Sequence, residues 1–261
     1  MPDQMTDEAR TKALKCPLMG RARALEKARV HYGGDVSLLV DLARNALVFQ
    51  SLDDLNAAVD AIGSRHKIVR IRDRIAEPTE MGYRDIALNV RTSNDQIATM
   101  RLLPGPILEA KSQGPKLYAE SQSILAAAQR RGRSSAEAGE SYAVGVLDMF
   151  NYMDEKGAML VDGFPSAEIA KEYARRRMRD SVEELRAANQ SREELKQLWL
   201  VFGEDSFVVG DERGDAYYGF ADLDFFIDHP ASTAERDWLE LEKRLPVHTE
   251  PLIPKVLDND P

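Results

Sequence analysis

Between residues 67 and 103 the chain alternates apolar and polar side chains with a period of two, three times over: KIVRIRDRI (67–75), RDIALNVRT (84–92) and QIATMRLL (96–103). A pleated strand with one buried and one wetted face repeats in this way, so these segments demand a sheet. Ser93-Asn94-Asp95 supplies turn chemistry between the last two, making them a hairpin. In the first strand the period places Arg70, Arg72 and Arg74 on one face.

The flanking segments supply helices. RARALEKARVHY (21–32) reads as a helix closed by Gly33-Gly34, which offer the left-handed geometry of a C-cap. ARNALVFQ (43–50) is apolar enough for a buried strand. A helix follows it, running to Gly63, with Ser51 at the N-cap and Asp54 completing a capping-box-like turn. Pro104-Gly105-Pro106 ends the third alternating strand, and two helices are expected at 106–112 and 116–131. Beyond them, 134–155 and 166–188 read as long amphipathic helices separated by a turn at Gly163-Phe164-Pro165. SREELKQLWLVF starts a shorter helix, SFVVG and YYGFADLDFFI suggest a small β element, and a last helix lies near 232–244. The expected fold class is α+β, with a mixed sheet flanked by helices over residues 1–132. A mostly helical extension with a small β element fills 133–261.

Composition narrows the function classes. The 261 residues carry 35 Lys and Arg against 44 Asp and Glu, and an acidic chain repels phosphate backbones as a whole. The imbalance is local: residues 180–261 hold 20 acids and 8 bases, whereas 1–179 hold 24 and 27. The first part can therefore still present a basic site. The acidic end is a solubility feature or a surface for a basic protein partner. One cysteine excludes an internal disulfide and fits the cytoplasm, where Cys16 reads as structural. With four scattered histidines, a Cys/His zinc site is not expected. No apolar run reaches a membrane span and the first residues lack a signal-peptide core, so no membrane partner is expected.

Two stretches carry a family likeness. IVRIRDRIAEPTEMGYRDIALNV, with ILEAKSQGPKLY after it, resembles the RelA/SpoT-type alarmone synthetase domain; upstream, RALEKARVHYGGDVSLLVDLARNALV is similar to that family's first helix, metal-binding Asp and Arg-bearing strand. The likeness covers about residues 17–120, and 133–261 match no family. It implies a nucleotidyltransferase-like synthetase fold that moves pyrophosphate from ATP to the 3′-hydroxyl of GDP or GTP, or of another acceptor such as an adenosine nucleotide or a tRNA end. The chemistry calls for Mg²⁺, cations and a base. By this resemblance Asp41 and Arg44 are catalytic, with Asp41 the Mg²⁺ ligand, and Tyr83 stacks the acceptor base. Arg23 and Lys27 face the donor phosphates, while Arg72 and Asp73 sit at the mouth of the cleft.

The departures from the family pattern bear on activity. Thr99 stands where the family carries a catalytic Glu, and Arg101 where it carries a Gln. Threonine can serve neither as base nor as charged metal ligand. Arg101 brings a positive charge near the metal position, which suits an anion bound without a metal. Thr79, Ala87 and Met19 replace further polar family residues, with Lys15 a substitute for the last if it reaches in. Bland readings stand beside these: Asp41 as a turn cap or Arg44 partner, Tyr83 as a structural tyrosine, and the Arg70, Arg72 and Arg74 face as a solvated edge. Arg175-Arg176-Arg177 with Arg179 reads as a solvated helix face. Two functions follow: a pyrophosphokinase-type protein binding purine nucleotides, or a catalytically degenerate domain binding a nucleotide or a protein in a toxin, defence or regulatory system.

Overall fold

The computed structural model describes residues 11–79, 82–131, 141–154, 156–209 and 217–252. The chain divides into two compact units, Met1–Gln113 and Gly114–Pro261, each with its own five-stranded sheet. The sequence expectation set this boundary at 132. Helix Pro115–Arg131 instead clusters with the second unit.

The first unit runs β1 (Thr11–Lys15), α1 (Arg21–Tyr32), β2 (Ala43–Phe49), α2 (Leu52–Arg65), β3 (Lys67–Asp73), β4 (Ile86–Arg91), β5 (Ile97–Pro104) and α3 (Gly105–Gln113). Its sheet is ordered β1-β2-β5-β4-β3. β2 and β5 are parallel and every other pair is antiparallel, so the sheet is mixed and the fold α+β. β1 had no counterpart in the sequence reading. The Ser51 hydroxyl accepts the Asp54 amide at 3.1 Å and donates to its carboxylate at 2.8 Å, starting α2 where the residues indicate. α2 then lays Leu55, Ala58, Val59 and Ile62, one helical stripe, against Phe49, Ile86, Leu88, Val90 and Leu102.

That packing fixes the sheet's two faces. Since Leu88 and Met100 turn toward α2, the alternate residues Ala87, Asn89, Thr99 and Arg101 point the other way. An irregularity in β3 keeps the edge strand in step: Ile68 pairs with Val90, but Arg70 then pairs with Asn89. Val69 is the extra residue of a bulge. Were Val69 paired in regular register, Arg70 and Arg72 would turn into the α2 face and Ile71 out of it.

The second unit comprises α4 (Pro115–Arg131), β6 (Tyr142–Asp148), β7 (Ala158–Phe164), α5 (Ala167–Glu183), α6 (Arg192–Phe202), β8 (Glu204–Val208), β9 (Tyr217–Tyr218), α7 (Leu223–Asp228), α8 (Trp238–Arg244) and β10 (His248–Pro251). Its sheet, β10-β7-β6-β8-β9, is antiparallel throughout. The small β element expected in this part is a five-stranded sheet. The helix expected at 134–155 is strand β6 where the chain is described; 132–140 lie outside the described residues. Both β6 and β7 are buried on both faces, so they lose the alternation that marks a half-exposed strand. Gly145 in β6 lies under the Phe207 ring, where an added Cβ would come within 2.0 Å of ring carbon.

Arg177 also departs from its expected exposed position. It is buried on α5, bonded to Glu204 at 2.8 Å and to the Tyr173 hydroxyl at 3.0 Å, and lies over the Trp238 ring. Among the described residues, no helix is long and apolar enough to cross a membrane.

Candidate functional site

The polar face of the first sheet is organised in two cross-strand rows. One runs Arg44 (β2), Thr99 (β5), Asn89 (β4), Arg70 (β3); the next runs Ala46, Arg101, Ala87, Arg72. Directly paired residues share a face, so four arginines lie on this surface with no carboxylate in either row. Arg44, Thr99 and Arg101 are buried, whereas Arg70 and Arg72 are exposed on the edge strand.

Thr99 is a fastener in the first row. Its hydroxyl donates to the Val40 carbonyl at 2.8 Å and accepts from the Asn89 side-chain amide at 2.7 Å. Val40 precedes Asp41, and on the next residue the Leu42 carbonyl accepts the Met19 amide at 3.0 Å. The strap 40–42 is thus tied to the sheet on one side and to the entry of α1 on the other. Asp41 at its centre takes the Lys27 ammonium at 2.5 Å, with both side chains buried. Arg23, one turn before Lys27 on α1, is buried as well.

Asp85 organises the second row. The wholly buried carboxylate is held by Arg74 through two bonds of 2.7 Å and by Arg101 at 3.0 Å, and the Tyr83 hydroxyl donates to it at 3.3 Å. The two-pronged contact suits a planar guanidinium. Burial raises the Asp85 carboxyl above its ordinary value, and the Arg74 charge opposes that shift. Burial, with the Asp85 charge beside it, pushes the Tyr83 phenol well above its usual value. The Tyr83 ring lies 5.0 Å from the Arg74 guanidinium and 5.9 Å from the Lys111 ammonium. Gly82 turns the chain into this cluster at φ 81°, and the Tyr83 amide donates to the Thr79 hydroxyl at 3.1 Å.

The residues singled out from sequence fall into four groups. Lys27 and Asp41 form one contact, Arg44 pairs across the sheet with Thr99, and Arg101 and Tyr83 meet at Asp85. Arg72 and Asp73 stay exposed at the end of β3, where the Asp73 carboxylate accepts the Ile75 and Ala76 amides at 2.9 and 3.1 Å. Arg74, expected beside Arg70 and Arg72 on one solvated face, is buried because β3 ends at Asp73. Sequence reasoning gave no role to Asp85, Asn89 or Lys111. Asp85 stood within the quoted Gly-Tyr-Arg-Asp-Ile motif, but its partners lie 11 and 16 residues away.

The donor set does not fit a resident Mg²⁺. Asp41 is committed to Lys27, Asp85 to two arginines, and Thr99 is uncharged with its proton on Val40. Among the described residues, no three His, Cys, Asp or Glu side chains come together as a metal site. What this face offers is four guanidinium groups, one of them, Arg101, held by the Asp85 carboxylate, and guanidinium groups suit phosphate oxygens.

No family model and no curated protein matches the chain. Among solved structures it is similar to small alarmone synthetase 1 from Bacillus subtilis bound to its product pppGpp, at 22% identity over 42% of this chain and 62% of that one, with a TM-score of 0.35. It is likewise similar to the complex of the type VI effector Tas1 with its immunity protein, at 24% identity over 38% and 49% of the two chains and a TM-score of 0.33. For small alarmone synthetase 2 from Bacillus subtilis the values are 14%, 50%, 69% and 0.32. The chain therefore spans less than two thirds of the length of the first two structures.

Proposed function

We propose that the first unit is a RelA/SpoT-like nucleotide-binding domain that holds a purine nucleotide of the ATP, GDP or GTP class by its phosphates. The observation that carries this reading is the pair of cross-strand rows with four arginines and no carboxylate. The sequence resemblance supplies the purine class, and the arginines of the two rows supply the phosphate chemistry.

On this reading the domain binds without efficient pyrophosphate transfer. A hydroxyl acceptor must lose its proton during transfer, and Thr99 has no basic group to take it. The acidic second unit is then the surface for a protein partner in a toxin, defence or regulatory setting. Pyrophosphate transfer is the second reading, favoured by Asp41 and Arg44 at the positions where the resemblance puts catalytic residues.

Incubation with labelled ATP and GDP, GTP, AMP or tRNA, alongside equilibrium dialysis with the same nucleotides, separates the readings. Retained purine nucleotide with no labelled acceptor supports the binding domain. A labelled acceptor that Asp41→Ala abolishes establishes the transferase. No retained nucleotide and no transfer overturns both.

A further inference from the structure

We infer that the polar face takes its polyphosphate ligand as the free anion and not as a Mg²⁺ chelate. The inference rests on the nucleotide reading above and adds the ionic form of the ligand. Mg²⁺ demands six oxygens in a tight octahedron, and in nucleotide sites it is usually shared between phosphates and one or two protein carboxylates. Two buried acids of this unit, Asp41 and Asp85, are already engaged. The Asp41 oxygen is 2.5 Å from the Lys27 ammonium. The Asp85 oxygens are taken by Arg74, Arg101 and Tyr83. One oxygen of Asp73, Oδ1, accepts two turn amides after β3.

Releasing Asp41 to a metal would cost buried Lys27 its 2.5 Å contact with that carboxylate, a costly change in a low-dielectric setting. Thr99 adds no anionic oxygen, and Arg44 and Arg101 lie on the same face beside it, where a divalent cation would be repelled. A free polyphosphate meets the opposite situation. Its oxygens are acceptors, and the arginines of the two rows are donors. Chelation by Mg²⁺ removes negative charge from the ligand and covers oxygens the arginines would bind.

The test is calorimetric titration of the full chain with ATP, once in EDTA and once with Mg²⁺ in excess over nucleotide. The expected result is binding in EDTA, with Kd rising about tenfold as Mg²⁺ saturates the ATP. Equal affinity in the two buffers overturns the inference, because the chelate is then taken as well as the free anion, and it leaves the nucleotide reading standing. Weaker binding in EDTA than in Mg²⁺ overturns the inference and leaves the nucleotide reading standing. Heat in neither buffer, with dialysis likewise blank, overturns the nucleotide reading itself.

Discussion

The Lys27 ammonium lies 2.5 Å from the Asp41 carboxylate, and both side chains are buried. This contact joins α1 to the strap before β2, and it commits the acid that the family likeness gives to a metal. Removing one member strands the other in a low-dielectric setting, which costs about 3–5 kcal/mol. Lys27→Met and Asp41→Leu singly should each lower the urea midpoint markedly. The double variant should recover most of the loss, since two apolar side chains carry no stranded charge. Destabilisation that is simply additive would contradict a mutually compensating pair.

Thr99 spends its hydroxyl on structure. Thr99→Val removes a buried bond to Val40 and leaves the Asn89 amide without its acceptor, a loss of about 1–3 kcal/mol. Thr99→Ser keeps the hydroxyl and should fall within about 1 kcal/mol of wild type. Thr99→Glu places a carboxylate where the sequence resemblance expects one but removes the donor to Val40, so no pyrophosphate transfer should appear in the labelled-ATP assay. Turnover by Thr99→Glu would show that the missing carboxylate alone had silenced the site.

Asp205 in the second unit is wholly buried, and burial pushes its carboxyl up to about 7, with the Glu204 charge acting in the same direction. The folded chain therefore holds this proton more tightly than the unfolded chain. The stability it contributes is full below the ordinary value of 3.8 and is lost as pH rises to about 7. Asp205→Asn, which cannot ionise, should match wild type near pH 4 and exceed it at pH 8 by up to about 4 kcal/mol. Urea unfolding of both proteins across that range checks the crossing. A constant difference would contradict the buried titration.

The bulge at Val69 decides which way the β3 arginines face. Deleting Val69 takes out the extra residue, so Ile68 still pairs with Val90 and Arg70 with Asn89, and the arginines keep their face. Cooperative unfolding by circular dichroism should survive the deletion, and Val69→Ala, on an exposed side chain, should be nearly neutral. The contrasting variant, one residue inserted after Val69, shifts the arginines by one position and should lose cooperative unfolding. An insertion variant as stable as wild type would show that the register is set elsewhere.

Much of the first unit is legible because its signals are local. The Ser51 cap, the Gly33 turn at φ 61° and the period-two strands all lie within a few residues of what they determine. β6 and β7 are illegible for the opposite reason, since burial on both faces makes a central strand a plain apolar run. The site divides in the same way. The sequence marks Lys27, Asp41, Arg44 and Arg101, but Arg101 is oriented by Asp85, and Asp85 is reached only once β4 pairs with β5. Tyr83 resembles a stacking platform in sequence, yet its burial among Asp85, Arg74 and Lys111 follows from contacts that no local pattern encodes.

Arg70 and Arg72 allow the most direct test, because their exposed side chains can be removed without opening the core. Calorimetric ATP affinity should be compared among wild type, an Arg70→Ala/Arg72→Ala double variant, and Arg192→Ala, a control at an exposed position of the second unit. If the polar face grips phosphates, the double variant should lose about tenfold or more in affinity, one charge-assisted bond or better, while the control binds as wild type does. Unchanged affinity in a folded double variant would contradict the account.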